Sequence, residues 1–159
     1  MNSGGAVITS PDFQTDWSKW TATFAGALKN WARSIVGWNL ALDEEGKPNM
    51  GPGTGGIVTI HSKTQEITRC GQYWAFAHYS KMMQRGARVL ASRGDLPYIS
   101  HVAVENPDGS KVLVLTIQSG LERLVPCSVG AYELQVTLPQ NSVAPLLWQF
   151  TSVLCRLFI

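Results

Sequence analysis

Residues 37–49 read "GWNLALDEEGKPN", an apolar run that carries an indole and an amide and ends in three acids. The longer run 35–42, "IVGWNLAL", is short and apolar, which predicts a strand buried on both faces. A strand that serves only the core needs neither an indole nor an amide. Trp38 and Asn39 are therefore the first candidates for a binding site.

A strong helical period precedes this run, because large apolar residues recur at spacings of 3, 4, 4, 3 and 4. It predicts a helix over about residues 16–33 whose apolar stripe packs in the core. The stripe consists of Trp17, Trp20, Phe24, Leu28, Trp31 and Ile35. A second helix is predicted over about 70–84. Helix followed by buried strand is the order typical of an α/β protein.

The pattern changes after Gly86, where six short β-rich runs follow one another with turn signals between them. Short strands at such spacing favour an antiparallel β-sandwich. The sequence thus predicts an α/β part over 1–86, an all-β part over 87–148, and an unassigned apolar tail over 149–159. Tight turns are predicted at 105–110, where Gly109 would take a geometry that other residues resist, and at 138–142.

Composition excludes several classes of protein. The chain has 159 residues, 45% of them hydrophobic, and a net charge of +2 with no basic stripe. It can therefore build a core, and nucleic acid is not an expected partner. The N-terminus lacks the features of a signal peptide, and no apolar run reaches the length of a transmembrane helix.

Local motifs give little support for metal, nucleotide or carboxylate chemistry. Three widely spaced cysteines and three scattered histidines predict neither a disulfide framework nor a metal site. The stretch "GPGTGG" at 51–56 matches a dinucleotide loop formally, but a β-like run follows it instead of a helix. Glycosidase chemistry needs two carboxylates, and a solvated turn explains the acids Asp43, Glu44 and Glu45 better than catalysis does.

Longer segments resemble the C-terminal part of glycoside hydrolase family 30, the glucosylceramidase-like enzymes. The resemblance lies in "NWARSIVGWNLALDEEGKPN", "GGIVTI" and "EITRCGQYWAFAHYSKMMQRGARVLAS", and continues in "VAVENPDGSKVLVLTI" and "ELQVTLPQNSVAPLLW". It covers about residues 3–148. It implies the terminal portion of a (β/α)₈ barrel, with helix seven, strand eight and helix eight, followed by an antiparallel β-sandwich.

The resemblance also implies roles for individual residues. Trp38, with Asn39 on the same strand, would line the sugar pocket, and Ser3 matches a small-residue segment that follows the nucleophile in the family. The expected substrate is a β-glycoside or glycolipid, cleaved with retention and with no metal or other cofactor. Full-length relatives are secreted or lysosomal, whereas this sequence does not indicate a location for the chain.

The catalytic carboxylates of the family have no counterpart here. Met1 falls at about the nucleophile's place, so the resemblance implies no catalytic residue in this chain and an inactive product of a truncated gene. Two alternatives stay open: a non-catalytic carbohydrate-binding sandwich, and a half-enzyme that complements a missing N-terminal half. The unpaired strand 35–42 would also favour self-association.

Overall fold

The computed structural model describes residues 13–48, 55–149 and 152–157, with the backbone alone at 13–16 and 152–157. The elements in chain order are α1 (Phe13–Lys29), β1 (Ala41–Leu42), β2 (Val58–Ile60), β3 (Ile67–Arg69), α2 (Gly71–Ser80), β4 (Arg88–Leu90), β5 (Ile99–Glu105), β6 (Lys111–Ile117), β7 (Arg123–Val129), β8 (Tyr132–Leu138), β9 (Val143–Gln149) and β10 (Ser152–Leu157).

The described strands form three sheets. β1 pairs in parallel with β2, and β2 pairs antiparallel with β3. A five-stranded sheet has the order β10-β9-β6-β5-β4, and β7 and β8 form a separate hairpin; all their pairings are antiparallel. The six β-rich runs after Gly86 become β4 to β9, which confirms that these runs form strands. The chain is thus mixed α/β with antiparallel sheets.

Strand β6 runs through the centre of the structure and is apolar on both faces. Val112 and Val114 contact the helical layer, which includes Phe24 of α1 and Tyr79 of α2. The alternate residues of β6 face the β7–β8 hairpin in a second core of Leu113, Leu115, Ile117, Val125, Val136, Leu138 and Leu146. One strand therefore joins the helices to the hairpin, because successive side chains of a strand point to opposite faces.

The helical stripe packs in the core as expected, with one exception. Phe24 is 2% exposed, and Trp17, Trp20 and Leu28 pack against the same cluster. The stripe of α1 packs against α2 and the five-stranded sheet. Trp31 was predicted wrongly, since α1 ends at Lys29 and Trp31 follows with a φ of +72° and an exposure of 92%.

The prediction of a strand over 35–42 buried on both faces is wrong. Only Ala41–Leu42 pairs, and burial alternates before it, so that Val36, Trp38 and Leu40 are 88%, 76% and 73% exposed. The reason is that nothing among the described residues packs over these three side chains; the backbone also has a partner, β2, along one edge only.

The second helix is shorter than predicted, and the apolar tail contains a strand. α2 spans Gly71–Ser80 rather than about 70–84. The tail supplies the end of β9 and an edge strand, β10, that pairs with β9. The turn predictions are confirmed: Gly109 has a φ of +79°, and the Ser142 hydroxyl donates to the carbonyl oxygen of Pro139 at 2.7 Å.

Candidate functional site

The backbone of the Trp38–Asn39 segment is fixed by its neighbour β2. The carbonyl oxygen of Asn39 accepts a hydrogen bond from the amide of Ile57 at 2.9 Å, and that of Leu40 accepts one from the amide of Val58 at 3.0 Å. The peptide bond between Trp38 and Asn39 is cis. The two hydrogen bonds to β2 and the residue before it give the segment a defined path, although β1 itself is only two residues long.

Gly37 permits a close approach between this segment and the core. A Cβ atom at Gly37 would lie 2.8 Å from Cδ1 of Ile57 and 2.8 Å from Cε2 of Phe76, closer than real Cβ contacts come. Phe76 lies on α2 and packs against Phe24, with ring centroids 4.7 Å apart. The residue before Trp38 thus rests directly on a core aromatic.

The side chains of Trp38 and Asn39 differ in how they are placed. The indole of Trp38 is largely exposed and offers an apolar face, the kind of surface on which a sugar ring can stack. Asn39 is half-buried, and its Nδ2 atom is buried with no hydrogen-bond partner among the described residues. A buried donor without an acceptor costs free energy, so this amide is suited to a partner from outside the described part of the chain.

The three acids after β1 all have local partners. The Asp43 carboxylate accepts hydrogen bonds from the amides of Glu45 at 2.9 Å and Lys47 at 2.7 Å, which closes the turn. Glu45 pairs with Lys47 at 2.6 Å on the surface. The hydroxyl and the amide of Ser62 both donate to Glu44 and lower the pKa of its carboxyl to about 2. This arrangement agrees with a solvated turn rather than an acid/base pair, which needs one carboxyl held protonated near neutral pH.

Several sequence predictions concern residues that the structure does not describe. Ser3 and Met1 lie outside the described residues, and so does most of the glycine-rich stretch at 51–56. A strand, β2, follows that stretch, so no helix N-terminus is available there for a phosphate. Within the described ranges, no group of three His, Cys, Asp or Glu residues could hold a metal ion. None of the described helices is long and apolar enough to cross a membrane.

A cavity of about 540 Å³ lies elsewhere, between the β7–β8 hairpin and the five-stranded sheet. Its lining includes Trp148, His101 and Ser92, over a floor formed by Leu113 and Leu115. Neither Trp38 nor Asn39 lines it, so the cavity and the predicted site are separate. The sequence carried no signal for it, because the lining comes from five segments that meet only in the folded chain.

No protein-family model matches the chain. Two curated proteins are similar to parts of it. An endo-1,6-beta-D-glucanase of Neurospora crassa is 33% identical over 129 residues, covering 72% of this chain and 26% of that protein. The putative glucosylceramidase 3 of Caenorhabditis elegans is 29% identical over 118 residues, covering 70% of this chain and 22% of that protein.

Solved structures share the fold over most of the chain. SrfJ from Salmonella typhimurium has a TM-score of 0.84 and 26% identity, covering 91% of this chain and 33% of that one. The endo-beta1,6-glucanase BT3312 has a TM-score of 0.73 and 29% identity, covering 87% and 31%. The catalytic domain of the GH30 xylanase C from Talaromyces cellulolyticus has a TM-score of 0.69, covering 92% and 38%, and its 16% identity supports the fold alone.

The chain spans between 22% and 38% of the proteins it matches. Both curated relatives bear names of enzymes that cleave glycosidic bonds, and two of the three structures bear such titles. In sequence and in fold, the chain therefore matches the C-terminal part of the glycoside hydrolases of family 30.

Proposed function

We propose that this chain forms one wall of the sugar pocket in a family 30 glycoside hydrolase that cleaves β-glycosidic bonds with retention. The observation that supports it best is the pair formed by Trp38 and Asn39. The indole of Trp38 is exposed, and the next residue, Asn39, has a buried side-chain nitrogen with no acceptor among the described residues. A sugar offers an apolar ring face to the indole, and its hydroxyl oxygens can accept from an amide.

The proposal assigns the two parts of the chain to different layers of the enzyme. Residues 1–86 would be the end of a (β/α)₈ barrel, with Trp38 near the carboxyl end of its last strand, where barrel enzymes keep their sites. Residues 87–148 would belong to the accompanying β-sandwich. The exposed side chains of Val36, Trp38 and Leu40 support this assignment, because they would face the parts of a barrel that these 159 residues do not supply.

The 159 residues alone should not hydrolyse a glycoside. A retaining glycosidase needs two carboxyl groups about 5–5.5 Å apart, and Asp43, Glu44 and Glu45 are each engaged in a local turn or loop contact. The test is turnover of an aryl β-glucoside by the purified chain, for which we expect no rate above buffer. Activity lost on replacing one of the three acids would make that acid catalytic, contrary to the proposal.

Binding tests the proposed wall separately from catalysis. Titration with β-1,6-linked gluco-oligosaccharides, followed by NMR, should perturb the indole signal of Trp38. Trp38→Ala should abolish the binding heat measured by isothermal titration calorimetry, whereas Trp31→Ala should leave it unchanged and is the matched control, since Trp31 is also exposed, at 92%. Equal loss in both variants would show general adsorption to apolar surface, and no perturbation at Trp38 would contradict the proposal.

A carbohydrate-binding module is the second candidate, and the cavity between the sheets favours it. The cavity is lined by Trp148, and the Nε1 atom of Trp148 and the Oγ atom of Ser92 are buried without a partner among the described residues. If this candidate holds, Trp148→Ala removes oligosaccharide binding and Trp38→Ala leaves it intact. The opposite outcome assigns binding to the Trp38 wall.

Complementation tests the third alternative, a half-enzyme. Mixing the purified chain with the N-terminal part of a family 30 enzyme should restore hydrolysis only if the two parts assemble. Restored activity that Trp38→Ala then reduces would assign the chain a working role in the assembled site.

A further inference from the structure

We propose that Phe76 and Ile57 are positioning residues for Trp38, and that they act through the backbone of Gly37. The inference rests on the proposed role of Trp38 in the sugar pocket. It adds that the location of the indole is determined by a core aromatic of α2 and by the residue before β2, both distant from Trp38 in sequence.

Trp38 cannot be held by its own packing. Its side chain is 76% exposed, and Val36 and Leu40, two residues before and after it, are 88% and 73% exposed. A side chain in water samples several rotamers at little cost. Any preferred position of the indole must therefore come from the backbone that carries it.

Ile57 restrains that backbone from two directions. Its amide donates to the carbonyl oxygen of Asn39 at 2.9 Å, on one side of Trp38. Its Cδ1 atom lies so close to Gly37, on the other side of Trp38, that an added Cβ would approach it to 2.8 Å. Ile57 thus contacts both residues that flank Trp38 in the sequence, Gly37 and Asn39.

Phe76 connects the same point to the core. Its Cε2 and Cζ atoms would lie 2.8 Å and 3.0 Å from a Cβ at Gly37. Its ring packs against Phe24, which is 2% exposed and belongs to the core between the helices and the sheet. Because protein interiors are close-packed, a change at Phe76 is transmitted to the backbone at Gly37.

The test uses the complete chain labelled with 5-fluorotryptophan and followed by ¹⁹F NMR. The chain has six tryptophans, and the signal that disappears in Trp38→Phe is assigned to Trp38. We expect Gly37→Ala to shift the Trp38 signal by more than its line width. Ile57→Val with Phe76→Leu should do the same, because the support is withdrawn.

The combination of all three substitutions provides the decisive comparison. Ile57→Val removes Cδ1 and Phe76→Leu removes Cε2 and Cζ, the atoms that a methyl group at residue 37 would meet. The triple variant should therefore return the Trp38 signal toward its wild-type position. If the three substitutions only destabilised the chain, their effects would add, and the triple variant would lie farther from the wild-type signal than its parents.

The Trp31 signal is the internal control, because Trp31 is exposed and should not shift in any of these variants. Gly120→Ala is the glycine control, with open space within 4 Å. An unchanged Trp38 signal in Gly37→Ala, or a triple variant no closer to wild type than its parents, overturns the inference. If Gly37→Ala does not fold, an unshifted Trp38 signal in Ile57→Val/Phe76→Leu overturns it instead. No sugar is needed, so failure of the proposed function leaves this result unaffected.

Discussion

The hydroxyl of Tyr79 donates a 2.8 Å hydrogen bond to the carbonyl oxygen of Thr21, 58 residues earlier in the chain. Both residues are buried, and burial raises the pKa of the Tyr79 hydroxyl, so it remains a donor at neutral pH. The bond joins α2 to α1 at the point where both helices meet the sheet. The helical layer is therefore connected by a polar contact as well as by apolar packing.

Tyr79→Phe should lower the free energy of unfolding by about 1–2 kcal/mol, since it removes a buried donor and leaves its carbonyl partner with one bond fewer. Urea unfolding followed by circular dichroism measures this. Tyr98→Phe is the control, because Tyr98 is 65% exposed and should change stability little. Equal effects at both positions would contradict the importance of the Thr21 contact.

Two glycine substitutions should act in opposite directions. A Cβ at Gly56 would lie 2.6 Å from the carbonyl oxygen of Val58 and 2.8 Å from the amide nitrogen of Leu42, both backbone atoms. Gly56→Ala should therefore separate β1 from β2 and cost about 1–3 kcal/mol. Gly26 lies in α1 with nothing within 4 Å, so Gly26→Ala should stabilise the chain by about 0.5–1 kcal/mol. Thermal unfolding of both variants checks the two signs.

Below about pH 6.5, the free energy of unfolding should decrease as the pH decreases, because two histidines have lowered pKa values in the folded chain. Burial lowers the pKa of His78, whose Nδ1 donates to the Trp74 carbonyl at 2.7 Å, and burial together with Lys29 lowers that of His101. The unfolded chain then takes up protons at a higher pH than the folded chain. The stability that the two neutral histidines contribute is therefore complete above pH 6.5, and it is lost as the pH falls toward their pKa values in the folded chain. His78→Gln/His101→Gln should flatten the dependence of urea unfolding between pH 7 and 5; an unchanged slope would assign it to other groups.

Exposed apolar side chains before β1 should promote self-association. Val36 and Leu40 lie two residues before and after Trp38 in the sequence, and all three are more than 70% exposed. Sedimentation velocity should show species larger than the monomer as concentration rises, and Val36→Thr/Leu40→Gln should reduce them. Leu121→Gln is the matched control, at 71% exposure. A wild-type chain that stays monomeric throughout would contradict the prediction.

The rates of amide hydrogen exchange should differ between residues 35–40 and the central strand β6. Residues 111–117 pair with strands on both sides. In the segment 35–42, by contrast, the paired residues begin only at Ala41. We expect the amides of 35–40 to exchange much faster than those of 111–117. Comparable protection in a monomer would mean that the chain closes its own core there.

Local patterns in the sequence were sufficient for most elements. Short β-rich runs and the turn residues between them predicted the strands from β4 to β9, and the helical period predicted α1, because these patterns reflect the local geometry of the backbone. The adjacency of Trp38 and Asn39 and the acidic turn that follows were also visible in the sequence alone, whereas the contact of Glu44 with Ser62 was not. The short strand β3 and the pairing of β10 were not predicted.

Tertiary structure alone decided what covers each apolar surface. The stripe of α1 and the run 35–42 look equally apolar in sequence, yet Phe24 is buried against the sheet and Val36 is exposed. A pattern of residues states which side chains prefer burial, whereas burial itself depends on segments that are distant in the chain. For the same reason the contacts of Gly37 with Ile57 and Phe76, which carry Trp38, appear only once the chain is folded.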